Sequence, residues 1–172
     1  LAENARANGV EVFTEHEVLA IERLSVGLSR FKVVTRNASC MARVVINAAG
    51  LFADDIARMV GVSDIVIKPR KGEEYLLDKK REHIVNHILF PLPTAESKGV
   101  LVIKTSDGNP MIGPTAEEVE DKHDLSTTAN GLQKVLHSVK RMVPNIEERD
   151  IIAYFSGLRP AAGTDFVIRH EE

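Results

Sequence analysis

The sequence predicts an α+β fold, in which a mostly antiparallel sheet is covered by one helix and is preceded by a partial β-meander and a further strand. Three observations carry that expectation. Short β-rich runs at residues 10–13, 18–24, 31–35 and 42–47 are separated by polar or glycine-containing turns. Ser106-Asp107-Gly108-Asn109 stands between two apolar runs. Asp-Gly and Gly-Asn tolerate the positive φ angles of a tight hairpin, so the Val100 and Met111 runs should pair. Leu132, Val135, Leu136, Val139, Met142 and Val143 recur at helical spacing, with Thr127 or Thr128 as N-cap, Lys140 and Arg141 at the C-terminal end and Pro144 as terminator.

The remaining elements follow in order. Residues 1–7 read as the tail of a helix that Asn8-Gly9 ends in a left-handed cap. After the meander, Ala53, Ile56, Ala57 and Val60 share one helical face, with Asp54 and Asp55 in the first turn and Gly61 at the stop. From about Ile65 the pattern changes to further strands at 65–68, 74–77, 88–90, 100–104 and 111–113, which places a domain boundary between residues 1–63 and 64–172. Residues 151–155 and 166–169 read as two more strands flanking a turn that contains Arg159.

Composition excludes several classes. A chain of 172 residues with 44% hydrophobic and 27% charged residues can bury an ordinary core. A formal net charge of −3 with mixed signs gives no electrostatic reason for nucleic-acid binding. No segment approaches the roughly 20 apolar residues that span a bilayer. Cys40 is the one cysteine, which excludes an internal disulfide and suits a reducing compartment.

Two segments carry chemistry. In Phe155-Ser156-Gly157-Leu158-Arg159-Pro160, a guanidinium is set between a permissive glycine and a rigid proline. Its five donors suit a carboxylate or phosphate better than a lysine point charge does. The alternative is that Arg159 caps a sheet end or pairs with Asp165 or Asp150. In Ile46-Asn47-Ala48-Ala49-Gly50, a β-branched run closes on three small residues and leads into a helix, as suits a backbone that approaches a bulky group or packs tightly on a helix.

Together with Gly108-Asn109-Pro110-Met111-Ile112-Gly113-Pro114-Thr115-Ala116, these segments resemble the D-amino-acid-oxidase-like superfamily of FAD-dependent oxidoreductases, most of all the branch of glycerol-3-phosphate dehydrogenases and L-2-hydroxyglutarate oxidases. The resemblance runs over nearly the whole chain. It implies that residues 1–63 are part of a Rossmann-like FAD-binding domain, meander and return strand, and that residues 64–172 are a truncated substrate domain. It implies Arg159 as the anchor of a small anionic substrate. Arg169 would be a second substrate-side arginine or a solvated strand end, and Tyr75 a residue facing the site or a half-buried strand tyrosine. Val18, Ala48, Ala49, Gly50 and Gly157 would lie against FAD, Val18 through its backbone alone. The resemblance further implies a cytoplasmic enzyme, peripheral to a membrane where its electrons pass to a quinone or a partner subunit.

The chain starts at Leu1 inside an apparent helix and lacks G-x-G-x-x-G spacing among its 11 glycines. It is therefore expected to be an internal piece without the main pyrophosphate grip. As excised, it is expected to be inactive, to lack FAD and to pair with a second copy through exposed sheet edges. Three readings follow: a glycerol 3-phosphate or 2-hydroxy-acid dehydrogenase, an amino-acid or opine oxidase, and a cofactor-free folded module. No catalytic base is assigned to His16, His83, His87, His123, His137 or His170. His83 and His87, four apart, lack a third ligand motif, so no metal is expected. Lys79-Lys80-Arg81 and residues 117–121 read as solvated turns, and residues 121–128 as a structural loop before the long helix.

Overall fold

A computed structural model describes residues 1–25, 30–93, 99–163 and 166–171, and the chain divides into two units, Leu1–Val66 and Ile67–Glu172. The first opens with α1 (Ala2–Ala7), which ends where Gly9 takes a φ of 84° and donates its N–H to the Arg6 carbonyl at 3.0 Å. Strands β1 (Val18–Arg23), β2 (Phe31–Thr35) and β3 (Ser39–Ala42) form an antiparallel meander in that order. Thr35 closes the β2–β3 turn with both its amide and its hydroxyl on the Ala38 carbonyl, at 2.8 and 3.0 Å.

That turn overrides the expected strand at 42–47. The ladder of β2 is satisfied by Ser39–Ala42, and residues 43–49 carry no ladder, with Val44 and Ile46 exposed at 73% and 87%. The run at 10–13 likewise joins no sheet, and Val10 and Phe13 stand exposed. A 3-10 turn at Gly50–Phe52 leads into α2 (Ala53–Met59), which lies against β1 and buries Ala57, while Ile21 is buried on β1. Gly61, at φ 87°, follows its end.

The second unit is organised on β4 (Lys68–Leu77), a single strand of 10 residues where the sequence suggested two shorter ones. Lys71 and Glu73 interrupt the apolar pattern, yet both are buried and partnered, so they sit inside the strand rather than breaking it. β5 (Leu101–Lys104) and β6 (Pro110–Gly113) form the expected hairpin, closed by Thr105–Asn109 with Gly108 at φ 94°. β6 pairs with Tyr75 and Leu76, and the two-residue β7 (Glu117–Glu118) pairs with Arg70 and Lys71. β8 (Ile151–Ala161) pairs antiparallel with the whole of β4. Since β8 occupies one full edge of β4, β6 and β7 share the other. The run at 88–90 contributes an isolated bridge, Leu89 to Val102. Residues 166–169, expected as a strand, join no ladder.

The long helix α3 (Ala129–Lys140) starts where the Thr128 hydroxyl accepts from the Gly131 amide at 2.9 Å. It packs on β4 and β6. Leu77, Val102, Ile112, Val135, Val139 and Ile146 are sealed in the resulting core, each side chain contributing about 1.5–3 kcal/mol by burial. Among the described residues no helix is long and apolar enough to cross a membrane.

Glu73 is the polar heart of this packing. Its carboxylate accepts from the Thr128 amide (2.8 Å), the Thr128 hydroxyl (3.0 Å) and the Tyr75 hydroxyl (2.9 Å), and its own amide donates to the Thr115 hydroxyl (3.0 Å). Gly131 lets the helix come this close, because a Cβ there would fall 2.4 Å from Glu73 Oε2. Glycine to alanine inside a helix ordinarily stabilises by up to about 1 kcal/mol. Here Gly131→Ala is expected to destabilise instead, by about 1–3 kcal/mol for the overpacked contact. Urea unfolding of the two chains side by side checks the sign, and a higher midpoint for the alanine variant refutes the account.

Candidate functional site

Strand alternation sorts the residues of β4 and β8 onto two faces. Pro69, Lys71, Glu73, Tyr75 and Leu77 are all buried and face the side of α3. The other face carries Lys68, Arg70, Gly72, Glu74 and Leu76 from β4. The ladder register sets opposite them Ala161, Arg159, Gly157, Phe155 and Ala153 from β8.

Arg159 therefore lies within a strand and not in a turn, which corrects the sequence reading. Gly157 has no positive φ, and Pro160 sits in a strand whose outer edge has no ladder, where its missing N–H is tolerated. Glycine and proline here mark an edge strand instead of a reversal. An Arg159–Asp150 pair is excluded, since nine residues of strand separate them by about 30 Å and Asp150 already meets Arg81 Nε at 3.5 Å. Thr164 and Asp165 lie outside the described residues.

On this face the side chains run in a gradient. Arg70 and Arg159, directly opposed and both exposed, form a basic end. A Cβ on Gly157 would meet nothing within 4 Å, so no contact among the described residues requires glycine there. Gly72 is different: a Cβ would come 2.8 Å from Pro114 Cβ, so the glycine makes room for Pro114. Beyond them Leu76, Ala153 and Phe155 give an apolar stretch. Beside it burial pushes the Glu74 carboxyl above its ordinary pKa.

Tyr75 is placed on the opposite face. It is 2% exposed, its hydroxyl is committed to Glu73, and burial first, then that hydrogen bond and charge, raise its pKa. Five residues from Arg70 along an unbroken register, it cannot share the face of Arg159, so the reading of Tyr75 as a site-facing residue is corrected. Arg169 is in a segment outside the sheet, where its Nη2 meets Glu171 Oε1 at 2.5 Å.

In the first unit Val18 begins β1, an edge strand, opposite Thr35 and next to a register shift before Ala20. Ala48, Ala49 and Gly50 are exposed, with Gly50 at φ 59°. Asn47 holds their conformation: its side chain donates to the Ala53 carbonyl at 2.7 Å and accepts from the Ala49 amide at 3.2 Å. The sequence reading quoted Asn47 without giving it that role. A β-run ending in Asn before small residues is the signal for such an Asx-type brace. His83 lies in a 3-10 turn that ends at Ile84, and Val85 is extended, so His83 and His87 do not share a helical face. Among the described residues no group of three or more His, Cys, Asp or Glu side chains is placed to hold a metal.

A family model described as FAD dependent oxidoreductase matches residues 1–172. The chain belongs to that family. It is 39% identical over 171 residues to a glycerol 3-phosphate dehydrogenase of Caloramator mitchellensis, covering 99% of this chain and 35% of that protein. It is 26% identical over 215 residues to an L-2-hydroxyglutarate dehydrogenase of Indibacter alkaliphilus, covering 99% of this chain and 53% of that one. Among solved structures, L-alpha-glycerophosphate oxidase from Mycoplasma pneumoniae with FAD bound superposes with a TM-score of 0.86 at 30% identity, covering 98% of this chain and 45% of that one. The chain thus spans between a third and about half of the length of these relatives.

Two observations bear on whether the described residues fit the family's cofactor. The turn at Ala48-Ala49-Gly50 exposes small side chains beside a positive-φ glycine, and Gly157 leaves open space where a side chain would stand. Each lets a flat group approach the backbone, and so each fits.

Lys71 and Asp124 show how the loop before α3 is held. Lys71 Nζ donates to Asp124 Oδ2 at 2.8 Å, and Ser126 supplies its amide (3.0 Å) and hydroxyl (2.5 Å) to Oδ1. The hydrogen bond from Lys71, then those from Ser126, hold the Asp124 carboxyl well below the usual range. A depressed folded pKa gives stability that is present above the unfolded value of about 3.9 and is lost as pH falls toward the folded one. Asp124→Asn is expected to lower stability at pH 7 and to flatten its decline between about pH 4 and pH 2. Chemical unfolding across that window checks it, and parallel pH curves for the two chains refute it.

Proposed function

We propose that the intact protein is an FAD-dependent dehydrogenase or oxidase that oxidises sn-glycerol 3-phosphate to dihydroxyacetone phosphate, or a related 2-hydroxy acid. Family membership supports the cofactor, and the names of the relatives support the substrate. The observation that carries the reading is Arg159, exposed on the sheet face away from α3 and two residues from the open backbone of Gly157.

FAD, when bound, supplies the acceptor for the hydride lost from the hydroxyl-bearing carbon. The residues of this chain do the rest of what is assigned here. Arg159 binds and orients the anionic end of the substrate. Gly157 leaves the backbone accessible, and Phe155 with Leu76 shields the adjoining space from water. Ala48, Ala49, Gly50 and the backbone of Val18 contact the cofactor in the first unit. Arg169 is kept as a further substrate-side group that exchanges Glu171 for the substrate anion.

Removing one partner of a desolvated charge pair costs about 2–5 kcal/mol. In the full-length enzyme with an artificial electron acceptor, Arg159→Ala is therefore expected to lower kcat/KM for sn-glycerol 3-phosphate by roughly 30-fold or more. A variant within twofold of wild type, or a wild type inactive on this substrate, refutes the assignment.

The 172 residues alone contain no G-x-G-x-x-G segment to set pyrophosphate on a helix N-terminus. The isolated chain is expected to bind FAD weakly or undetectably by flavin fluorescence titration. Submicromolar affinity would overturn the expectation that binding needs the missing G-x-G-x-x-G turn.

A further inference from the structure

We propose that Glu74 is the general base of the reaction, taking the proton of the substrate hydroxyl while Arg159 holds the anionic end. The inference rests on the functional reading above and deepens it by naming where the hydroxyl proton goes.

The register sets Glu74 among apolar neighbours on the face that carries Arg159. Tyr75 pairs with Ile112 and Leu76 with Met111, so the position of β6 beside Glu74 is Gly113. A Cβ on Gly113 would lie 3.0 Å from Glu74 Cγ, so the two strands meet closely there. Leu101 follows Gly113 across the sheet, and Phe155 opposes Glu74 from β8. The next row on this face is Ile103, Met111, Leu76 and Ala153. The row on the other side holds Gly72 and Gly157, with Pro114 packed over Gly72. None of these residues titrates. The nearest charges on this face of β4 and β8 are Arg70 and Arg159, four residues along the strands, and Arg70 is itself engaged within the chain and laddered to Glu118 of β7.

Glu74 differs from the carboxylate next to it. Glu73 is met by three hydrogen bonds and fixes α3. Glu74 is half-buried, and among the described residues its carboxylate meets no donor or cation. Burial among apolar groups holds its proton more tightly than in water. A base works best when its pKa lies near the working pH, so the shift is in the useful direction.

Successive residues on one face of a strand are about 7 Å apart, so Glu74 and Arg159 are rooted about 14 Å from each other along the sheet. Between them on β8 is Gly157, where a side chain would meet nothing within 4 Å. Both side chains are long enough to lean over that gap, which leaves room between their heads for a short hydroxyl-bearing anion. Oxidation breaks the C–H and O–H bonds at one carbon. The hydrogen on carbon leaves with two electrons to the acceptor that FAD supplies, the O–H electron pair becomes the second bond of the carbonyl, and the Glu74 carboxylate takes the proton.

Anaerobic stopped-flow mixing of the full-length, FAD-loaded protein with sn-glycerol 3-phosphate reads the limiting rate of flavin reduction, and its concentration dependence reads Kd. Glu74→Gln is expected to lower the limiting rate about 100-fold or more and to leave Kd within about threefold. The wild-type rate is expected to fall on the acid side with an apparent pKa above about 4.3, the ordinary glutamate value, because only the ionised form accepts a proton. Glu74→Gln is expected to lose that limb. Glu74→Asp, which keeps the base and shortens its reach, is expected to recover part of the rate and to keep the limb. A Glu74→Gln limiting rate within about threefold of wild type, or an acid limb unchanged by the substitution, overturns the base and leaves the functional reading standing. A loss carried by Kd alone also overturns it, since that assigns Glu74 to binding. A wild type whose flavin is reduced by neither sn-glycerol 3-phosphate nor a 2-hydroxy acid overturns the functional reading and the base with it.

Discussion

The Glu73 carboxylate, 1% exposed, is buried between a sheet and the first turn of a helix, and the larger unit is arranged around satisfying it. An unpaired carboxylate in such a place costs several kcal/mol. Here three hydrogen bonds from Thr128 and Tyr75 meet it, and bonds to a charged group are worth about 1.5–3 kcal/mol each. The amide of Thr128 belongs to the N-cap of α3, so the carboxylate also lies at the positive end of the helix. Gly131 and the Thr115 hydroxyl complete the arrangement, one by giving up its side chain and the other by accepting the Glu73 amide. Helix start, strand β4 and the segment after β6 are thereby held to one group.

How much of this was legible in the sequence depends on how local each signal is. The β5–β6 hairpin and α3 were legible because Asp107-Gly108 and the spacing from Leu132 to Val143 act within a few residues. Strand β4 was not, since Lys71 and Glu73 look like interruptions until their partners fifty-odd residues away are known. Arg159 was read as part of a turn and lies within a strand. Gly157 and Pro160 carry the same letters in an edge strand as in a reversal, and only the pairing with β4 tells them apart. That Arg70 stands opposite Arg159 was invisible for the same reason, since cross-strand opposition has no sequence signature. The runs at 10–13 and 42–47 have strand composition but take no ladder, which shows that β-propensity describes a surface fit to pairing and does not supply the partner.

Alternation along β4 separates the work of its residues. One face holds Lys71, Glu73 and Tyr75 in a network that fixes α3 and the loop ahead of it. The opposite face presents Arg70, Glu74 and, through β8, Arg159 and Gly157. Adjacent positions in the chain thus meet different surroundings, the inward ones the buried network and the outward ones the exposed face, where Gly72 alone is held to its size by packing against Pro114.

The two duties are nonetheless coupled through register. A slip of one residue would carry every inward side chain of β4 to the outward face. Glu73 and Lys71 would lose their partners, and Arg70 would turn toward the apolar core against α3. The cost of stranding two buried charges is far larger than that of any exposed contact, so the inward network specifies which side chains of β4 face α3 and which face outward. The buried carboxylate thus bears on the face that Arg70 occupies, through the alternation of β4. Which face of the sheet Arg70 occupies is thus tied to contacts made on the opposite side of the strand.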